Sequence, residues 1–265
     1  MLIWILIVIL LLASIIAISA SIGYFRYRNR LYLLLEKLKH NPKRRIKTIN
    51  PEEIFPEFVP NEFGISLEAE VSIMMKGLNT VEGATSDYEA WILSVLAKKA
   101  KSIFEFGTCT GKTSYLFAKN SMPEAHICTL TLPPEETDRY IHSDEDSEAA
   151  KQAAISESKF VKFIYTGTEV EGKITQLFCD SKQFSESPYL NSMDLIFIDG
   201  SHAYSYIKSD TEKAMKMLKP GGVILWHDYR DRIKSVDGVC KYLDELSKDK
   251  TLFHINRTSL IVFKK

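Results

Sequence analysis

Ser102-Ile-Phe-Glu-Phe-Gly-Thr-Cys-Thr-Gly-Lys-Thr-Ser-Tyr-Leu-Phe-Ala-Lys-Asn120 reads as a strand, a tight turn and a helix. Ile103, Phe104 and Phe106 form a short apolar run, Gly107 and Gly111 bound the turn, and Lys112 onward is compatible with a helix. Glycine suits a backbone that turns sharply and lets a ligand approach closely. A helix opening there points free N–H groups at whatever lies above the strand, which suits a nucleotide-like or anionic ligand. Glu105 at the strand's end favours hydroxyls or a cation over a phosphate as the nearest group. Parallel sheets also use such turns merely to pack a helix on a strand, so this stretch alone leaves ligand binding open.

Outward from it, the pattern repeats. A second strand, His126 to Thr131, stops at Pro133-Pro134, and the acidic, polar residues Glu135 to Ser158 read as a surface insertion or lid. Strands follow at Ile174 to Cys179 and Asp194 to Asp199. In the latter, the unbroken run Leu195 to Ile198 is expected of a strand buried on both faces. A helix over Tyr204 to Leu218 ends at Pro220-Gly221-Gly222, and Val223 to Trp226 is a fifth strand. Leu252 to Asn256 and Ser259 to Phe263 close the chain as an antiparallel hairpin. Upstream, Glu68 to Leu78 has helical apolar spacing, the chain breaks at Gly83 to Ser86, and Ser86 with Glu89 forms a capping box for a helix over Asp87 to Ala97. This alternation predicts an α/β fold with a doubly wound, mostly parallel, Rossmann-like sheet.

The 265 residues hold 34 Lys plus Arg and 34 Asp plus Glu, so there is no global basic field and nucleic acid is not an expected partner. Cys109, Cys128, Cys179 and Cys240 have no CxxC spacing and read as reduced thiols. Residues 1–25 carry no charged side chain. As a helix they would span roughly 37 Å, more than the hydrocarbon core of a bilayer, roughly 30 Å. Basic residues follow at Arg26, Arg28, Arg30, Lys37, Lys39, Lys43, Arg44, Arg45 and Lys47, against the single acid Glu36. The expectation is one transmembrane helix over 1–25 with a cytoplasmic flank, a basic juxtamembrane segment and Pro-containing linker over 26–60, and a globular domain over 61–265.

Ligands of open parallel sheets bind beyond the carboxyl ends of the strands, which picks out Glu105, Gly107, Asp180, Asp199 and Asp228. Glu105-Phe-Gly107-Thr-Cys-Thr-Gly111, Cys179-Asp180-Ser181, Asp194-Leu-Ile-Phe-Ile-Asp199-Gly200-Ser-His202 and Leu218-Lys-Pro-Gly-Gly-Val-Ile-Leu-Trp-His227-Asp228-Tyr229 resemble, in order, the motifs of class I S-adenosylmethionine-dependent methyltransferases. Within that class they are most similar to bacterial natural-product and sugar O-methyltransferases and to relatives of the catechol and caffeoyl-CoA enzymes, over residues 80–265. The resemblance implies S-adenosylmethionine as cofactor. Glu105, Gly107, Thr108 and Gly111 would hold its amino acid part, Thr131 would lie at the ribose, and Asp180 and Ser181 would face adenine. It also implies a divalent cation such as Mg²⁺ on Asp199 and Asp228. In two places the chain departs from the pattern: Thr131 stands where an acid usually grips the ribose, and His227 and Tyr229 flank Asp228 where a third ligand is often found.

Methyl transfer asks the protein to align nucleophile, methyl and sulfur, and to remove a proton. A cation between Asp199 and Asp228 would lower the pKa of a substrate hydroxyl. Without one, His202 or His227 is the candidate base, with His202 favoured because it follows Asp199 by three residues in the loop at the mouth. The expected function is O-methylation of a small-molecule hydroxyl. A non-catalytic membrane-tethered binding module on the same fold and a hydroxylase-like relative are the alternatives. A nicotinamide-dependent oxidoreductase is disfavoured, since the turn is Gly107-x-x-x-Gly111 and lacks GxGxxG.

Overall fold

The structure is a computed structural model that describes residues 23–24, 27–28, 46–62, 64, 66–74, 85–141, 143–230 and 233–265. The chain divides into two compact units, Met1–Arg45 and Ile46–Lys265. In the first unit 23–24 and 27–28 are helical, and the rest of the expected anchor and juxtamembrane segment lies outside the described residues. Among the described residues no helix is long and apolar enough to cross a membrane.

The second unit is built on eight strands: β1 (Lys47–Ile49), β2 (Ser102–Phe106), β3 (His126–Thr131), β4 (Ile174–Phe178), β5 (Met193–Ile198), β6 (Leu218–Trp226), β7 (Phe253–Ile255) and β8 (Ile261–Lys264). Their order across the sheet is β1-β7-β8-β6-β5-β2-β3-β4. Pairing is parallel from β6 through β4 and between β1 and β7, and antiparallel where β8 inserts between β7 and β6. Among the described residues five helices cover it: α1 (Asp87–Ala97), α2 (Lys112–Asn120), α3 (Glu148–Glu157), α4 (Tyr204–Met217) and α5 (Asp237–Leu246).

Side-chain alternation sorts the strands onto two cores. Phe104, Phe106, Leu130, Ile196, Ile198 and Trp226 pack with Ile207 and Met217 of α4 and Leu243 of α5. On the opposite face, Ile103, Ile127, Leu195 and Phe197 pack with Ile92 and Leu93 of α1 and Phe117 of α2. The four-residue apolar run of β5 therefore serves both faces, as its sequence predicts. Glu105 shares the face of Ile103, beneath α1 and α2, which decides its surroundings.

Three boundaries differ from the sequence reading. The domain begins at Ile46, not 61: β1 adds to the sheet edge, and Phe55 and Phe58 enter the second core, with the Phe58 ring 4.9 Å from that of Trp91. Pro51 and Pro56 each open a short 3₁₀ turn, so Pro spacing that suggests a linker here serves a wrapped chain. The helix expected over 68–78 is a single 3₁₀ turn, Leu67–Ala69, with 70–74 irregular and the rest outside the described residues. Within 135–158 the chain forms a 3₁₀ turn, Pro134–Arg139, and α3.

Candidate active site

A pocket opens where β2, β3, β4 and β5 end. Gly107, Thr131, Asp180, Ser181 and Asp199 of the predicted set line it, together with Tyr140, Tyr206 and Asp210. Ala154, Glu157 and Ser158 cover one side, so the insertion between β3 and β4 is a wall of the pocket. Glu105, Thr108, Gly111, His202 and Asp228 are not part of this wall.

The glycines of the turn have internal reasons. Gly107 has φ +98° and packs so tightly on β5 that a Cβ would lie 2.1 Å from the Asp199 carbonyl oxygen. Gly111, the N-cap of α2, has φ +79°, and a Cβ there would lie 2.9 Å from Phe163 and Tyr165 side chains. Both positions thus need glycine for chain packing and for a left-handed backbone, and the space that a side chain would fill belongs to the protein.

Glu105 is 1% exposed. Its Oε2 accepts hydrogen bonds from Ser114 Oγ and from Thr129 Oγ1, the latter at 2.6 Å. Thr129 Oγ1 lies 2.7 Å from Thr108 Oγ1, which also accepts from Gln176 Nε2 at 3.1 Å. Burial pushes the Glu105 carboxyl up to about 8; the Ser114 and Thr129 hydroxyls pull the other way, and the charge of Asp199 adds to the rise. Glu105 and Thr108, expected at the cofactor, form a buried network under the turn.

Beside the pocket, the ends of β5 and β6 bring together Asp199, His202, His227 and Asp228. His202 Nε2 lies 3.0 Å from Asp228 Oδ2, and His227 Nδ1 lies 3.0 Å from Asp199 Oδ1 and 3.3 Å from Asp228 Oδ2. His227 Nε2 faces Glu89 Oε2 at 3.4 Å. Glu89, 2% exposed, also caps α1: its Oε2 accepts from Ser86 N at 3.0 Å, and its Oε1 accepts from Ser259 N at 2.6 Å. Asp228 has φ +61° and meets Arg230 Nε at 3.2 Å through its Oδ1.

Three carboxylates around two imidazoles set the electrostatics. Burial would lower His227, but Asp199, Asp228 and Glu89 outweigh it and hold its pKa well above the usual imidazole range. His202 is likewise raised, with Asp228 overcoming the effect of burial. Asp228 and Glu89 fall below the usual carboxylate range despite burial because the histidines stabilise their charge. Asp199 rises, through burial first and the nearby charge of Asp228 in addition.

Asp199, His202 and Asp228 each offer a ligand atom within 4.8 Å of the others. Two carboxylate oxygens and an imidazole nitrogen fit a divalent cation, and the nitrogen suits Mn²⁺ or Zn²⁺ better than the all-oxygen preference of Mg²⁺. Both acids expected at a metal are in the set, and His202 joins them.

The sequence reading missed Glu89, whose capping box already accounted for it, and Asp210, whose helix position looks like any polar one. Of the aromatic residues beside the site, Tyr206 lines the pocket. Trp226 is core, donating Nε1–H to Thr211 Oγ1 at 2.8 Å, and the Tyr204 hydroxyl donates to Glu245 at 2.6 Å.

Residues 104–229 match the family described as Methyltransferase domain. Among solved structures the chain is similar to a Streptomyces achromogenes O-methyltransferase involved in tomaymycin synthesis, in complex with SAM (19% identity, 68% of this chain and 79% of that one, TM-score 0.43). It is also similar to a SAH-bound methyltransferase of Podospora anserina (15%, 68% and 78%, 0.48) and to an O-methyltransferase of Bacillus cereus in complex with SAH (15%, 71% and 85%, 0.42). No curated protein matches. The family match and the ordered motifs it spans are consistent with a class I S-adenosylmethionine-dependent, O-methyltransferase-like family.

Proposed function

We propose that the chain methylates a hydroxyl oxygen of a small molecule, with its catalytic domain held at the cytoplasmic face of a membrane. The observation that carries the reading is the position of Asp199, which borders the pocket with one flank and touches the His227 and Asp228 cluster with the other. S-adenosylmethionine, when bound, supplies a methyl group on a sulfonium. Gly107, Thr131, Asp180 and Ser181 are the residues that would line its site. A divalent cation held by Asp199 and Asp228 would act as a Lewis acid toward the substrate hydroxyl.

With no cation bound, His202 is the group that takes the hydroxyl proton. Its Nε2 is directed at Asp228, which fixes the tautomer, and its Nδ1 has no hydrogen-bond partner among the described residues. Nδ1 is thus the atom with a free lone pair once the ring is neutral. The tether is supported by the uncharged residues 1–25 and the nine basic residues after them. Thr131 in place of an acid favours a second reading, a tethered module that binds without catalysis.

The test is titration of the full chain, in detergent, with S-adenosylhomocysteine, followed by methyl transfer from S-adenosylmethionine to a panel of catechols, sugars and hydroxy acids. Binding plus transfer that His202→Ala reduces by about 10²-fold or more supports the proposal. Binding without transfer to any acceptor supports the module, and absence of binding overturns both.

A further inference from the structure

The carboxylate that the sequence places at the adenine is already committed within the protein. Asp180 Oδ1 accepts from Lys182 N at 2.8 Å, and its Oδ2 accepts from the Tyr206 hydroxyl at 2.9 Å. One helix away, Asp210 of α4 is in the opposite condition. It is 0% exposed and contributes to the wall of the same pocket, yet no group lies within 3.5 Å of either oxygen in hydrogen-bond geometry among the described residues, and the Ser181 hydroxyl is close enough only to temper its charge. Buried polar groups almost always find partners, so an orphaned carboxyl facing a cavity points to a partner that arrives with a ligand.

The sheet fixes which part of a ligand would meet it. The pocket crosses the ends of β5, β2, β3 and β4, in that order, which at the usual strand spacing is about 14 Å. The reacting end must lie at β5, where Asp199 meets the histidine cluster. Asp210 lies at the far end, where Lys213 of the same helix donates to the carbonyl oxygens of Ser181 and Lys182 after β4. A methyl donor with its sulfonium at Asp199 and a nucleoside extended along the strand ends would bring its base to Asp210.

We propose that Asp210 recognises the adenine of the methyl donor, accepting a hydrogen bond from the exocyclic amino group and donating its own proton to the adjacent ring nitrogen. This rests on the methyl-donor reading of the pocket. A protonated carboxyl has one donor and one acceptor side by side, which complements the amino group and ring nitrogen of adenine. Burial pushes the Asp210 carboxyl up to about 7, against the opposing pull of Ser181 and Lys213, so the neutral form is well populated at neutral pH.

The experiment compares S-adenosylhomocysteine with its 6-deamino analogue, which carries purine in place of adenine, by calorimetric titration of the full chain. The wild type is expected to bind the adenine compound at least tenfold more tightly, because the analogue leaves the buried acceptor unpaired. Asp210→Leu should lose tenfold or more for the adenine compound and bring the two ligands within threefold of each other. Asp210→Asn, which keeps an adjacent donor and acceptor, should retain the preference. A leucine variant that weakens both ligands equally, with the ratio intact, overturns the proposal and leaves Asp210 a support for the fold. If that variant does not fold, the wild type decides: a ratio below threefold overturns the assignment and a ratio above tenfold upholds it. Failure of a folded wild type to bind either compound overturns the methyl-donor reading itself, and the Asp210 assignment with it.

Discussion

Glu89 Oε2 lies 3.4 Å from His227 Nε2, joining the first turn of α1 to the end of β6 across 138 residues. The same carboxylate closes the capping box with Ser86, so one side chain starts a helix and neutralises part of a buried imidazolium. Glu89→Ala removes both roles and leaves His227 with one fewer carboxylate; it should destabilise the protein by about 3 kcal/mol or more. Ser86→Ala loses only the cap and should cost about 1 kcal/mol. Denaturant unfolding of the two variants checks the difference, and equal losses would mean that the His227 and Ser259 contacts together add nothing.

Glu105 makes stability depend on pH in a stated direction. Its folded carboxyl titrates at about 8 and its unfolded one near 4.5, so between those values the folded state holds the extra proton. Stability contributed by the neutral form is full below 4.5 and falls as pH rises through 8. Glu105→Gln should track the wild type near pH 4 and gain on it by a few kcal/mol at pH 9. Melting curves across that range read the divergence, and parallel curves would sink the prediction.

Gly107→Ala puts a methyl group 2.1 Å from the Asp199 carbonyl oxygen at a φ of +98°. Neither the strand end nor the turn can yield without moving Asp199, so the substitution should destabilise by about 3 kcal/mol or more and weaken S-adenosylhomocysteine binding. Gly167→Ala, at φ +76° with open space around it, is the control and should cost about 1 kcal/mol.

Asp228→Asn tests the cation site. Mn²⁺ added to the wild type should raise the melting temperature by an amount that grows with concentration. The variant should lose that response while keeping its affinity for S-adenosylhomocysteine, because Asp228 is not in the pocket wall. A shift that survives in the variant would place the metal elsewhere.

Residues 1–25 should hold the chain in the membrane fraction through alkaline carbonate extraction. Release of the full chain by carbonate would remove the tether from the proposed function.

Much of the sheet was legible because its strands are apolar runs between turn residues: His126–Thr131 was read without error, and β5 announced its two-sided burial through Leu195 to Ile198. Strand ends then named Asp180, Asp199 and Asp228 by position alone. What stayed hidden depends on which face a residue takes and on partners far along the chain. Glu105 looked like a ligand-facing acid, but alternation with Phe104 and Phe106 turns it under α2. β1 is three residues long and pairs with β7 more than 200 positions away, so no local pattern marks it. Asp210 is read only by noticing which oxygens lack partners, and that requires coordinates.

Tyr140 stacks on Tyr206 with ring centroids 4.5 Å apart and shares a 2.6 Å hydrogen bond with Ser201 Oγ. These contacts pin the start of the insertion to the floor of the pocket, on the side where Asp180 holds Tyr206. The two rings that line the pocket are therefore also the clasp that holds Tyr140, at the start of the insertion, against α4.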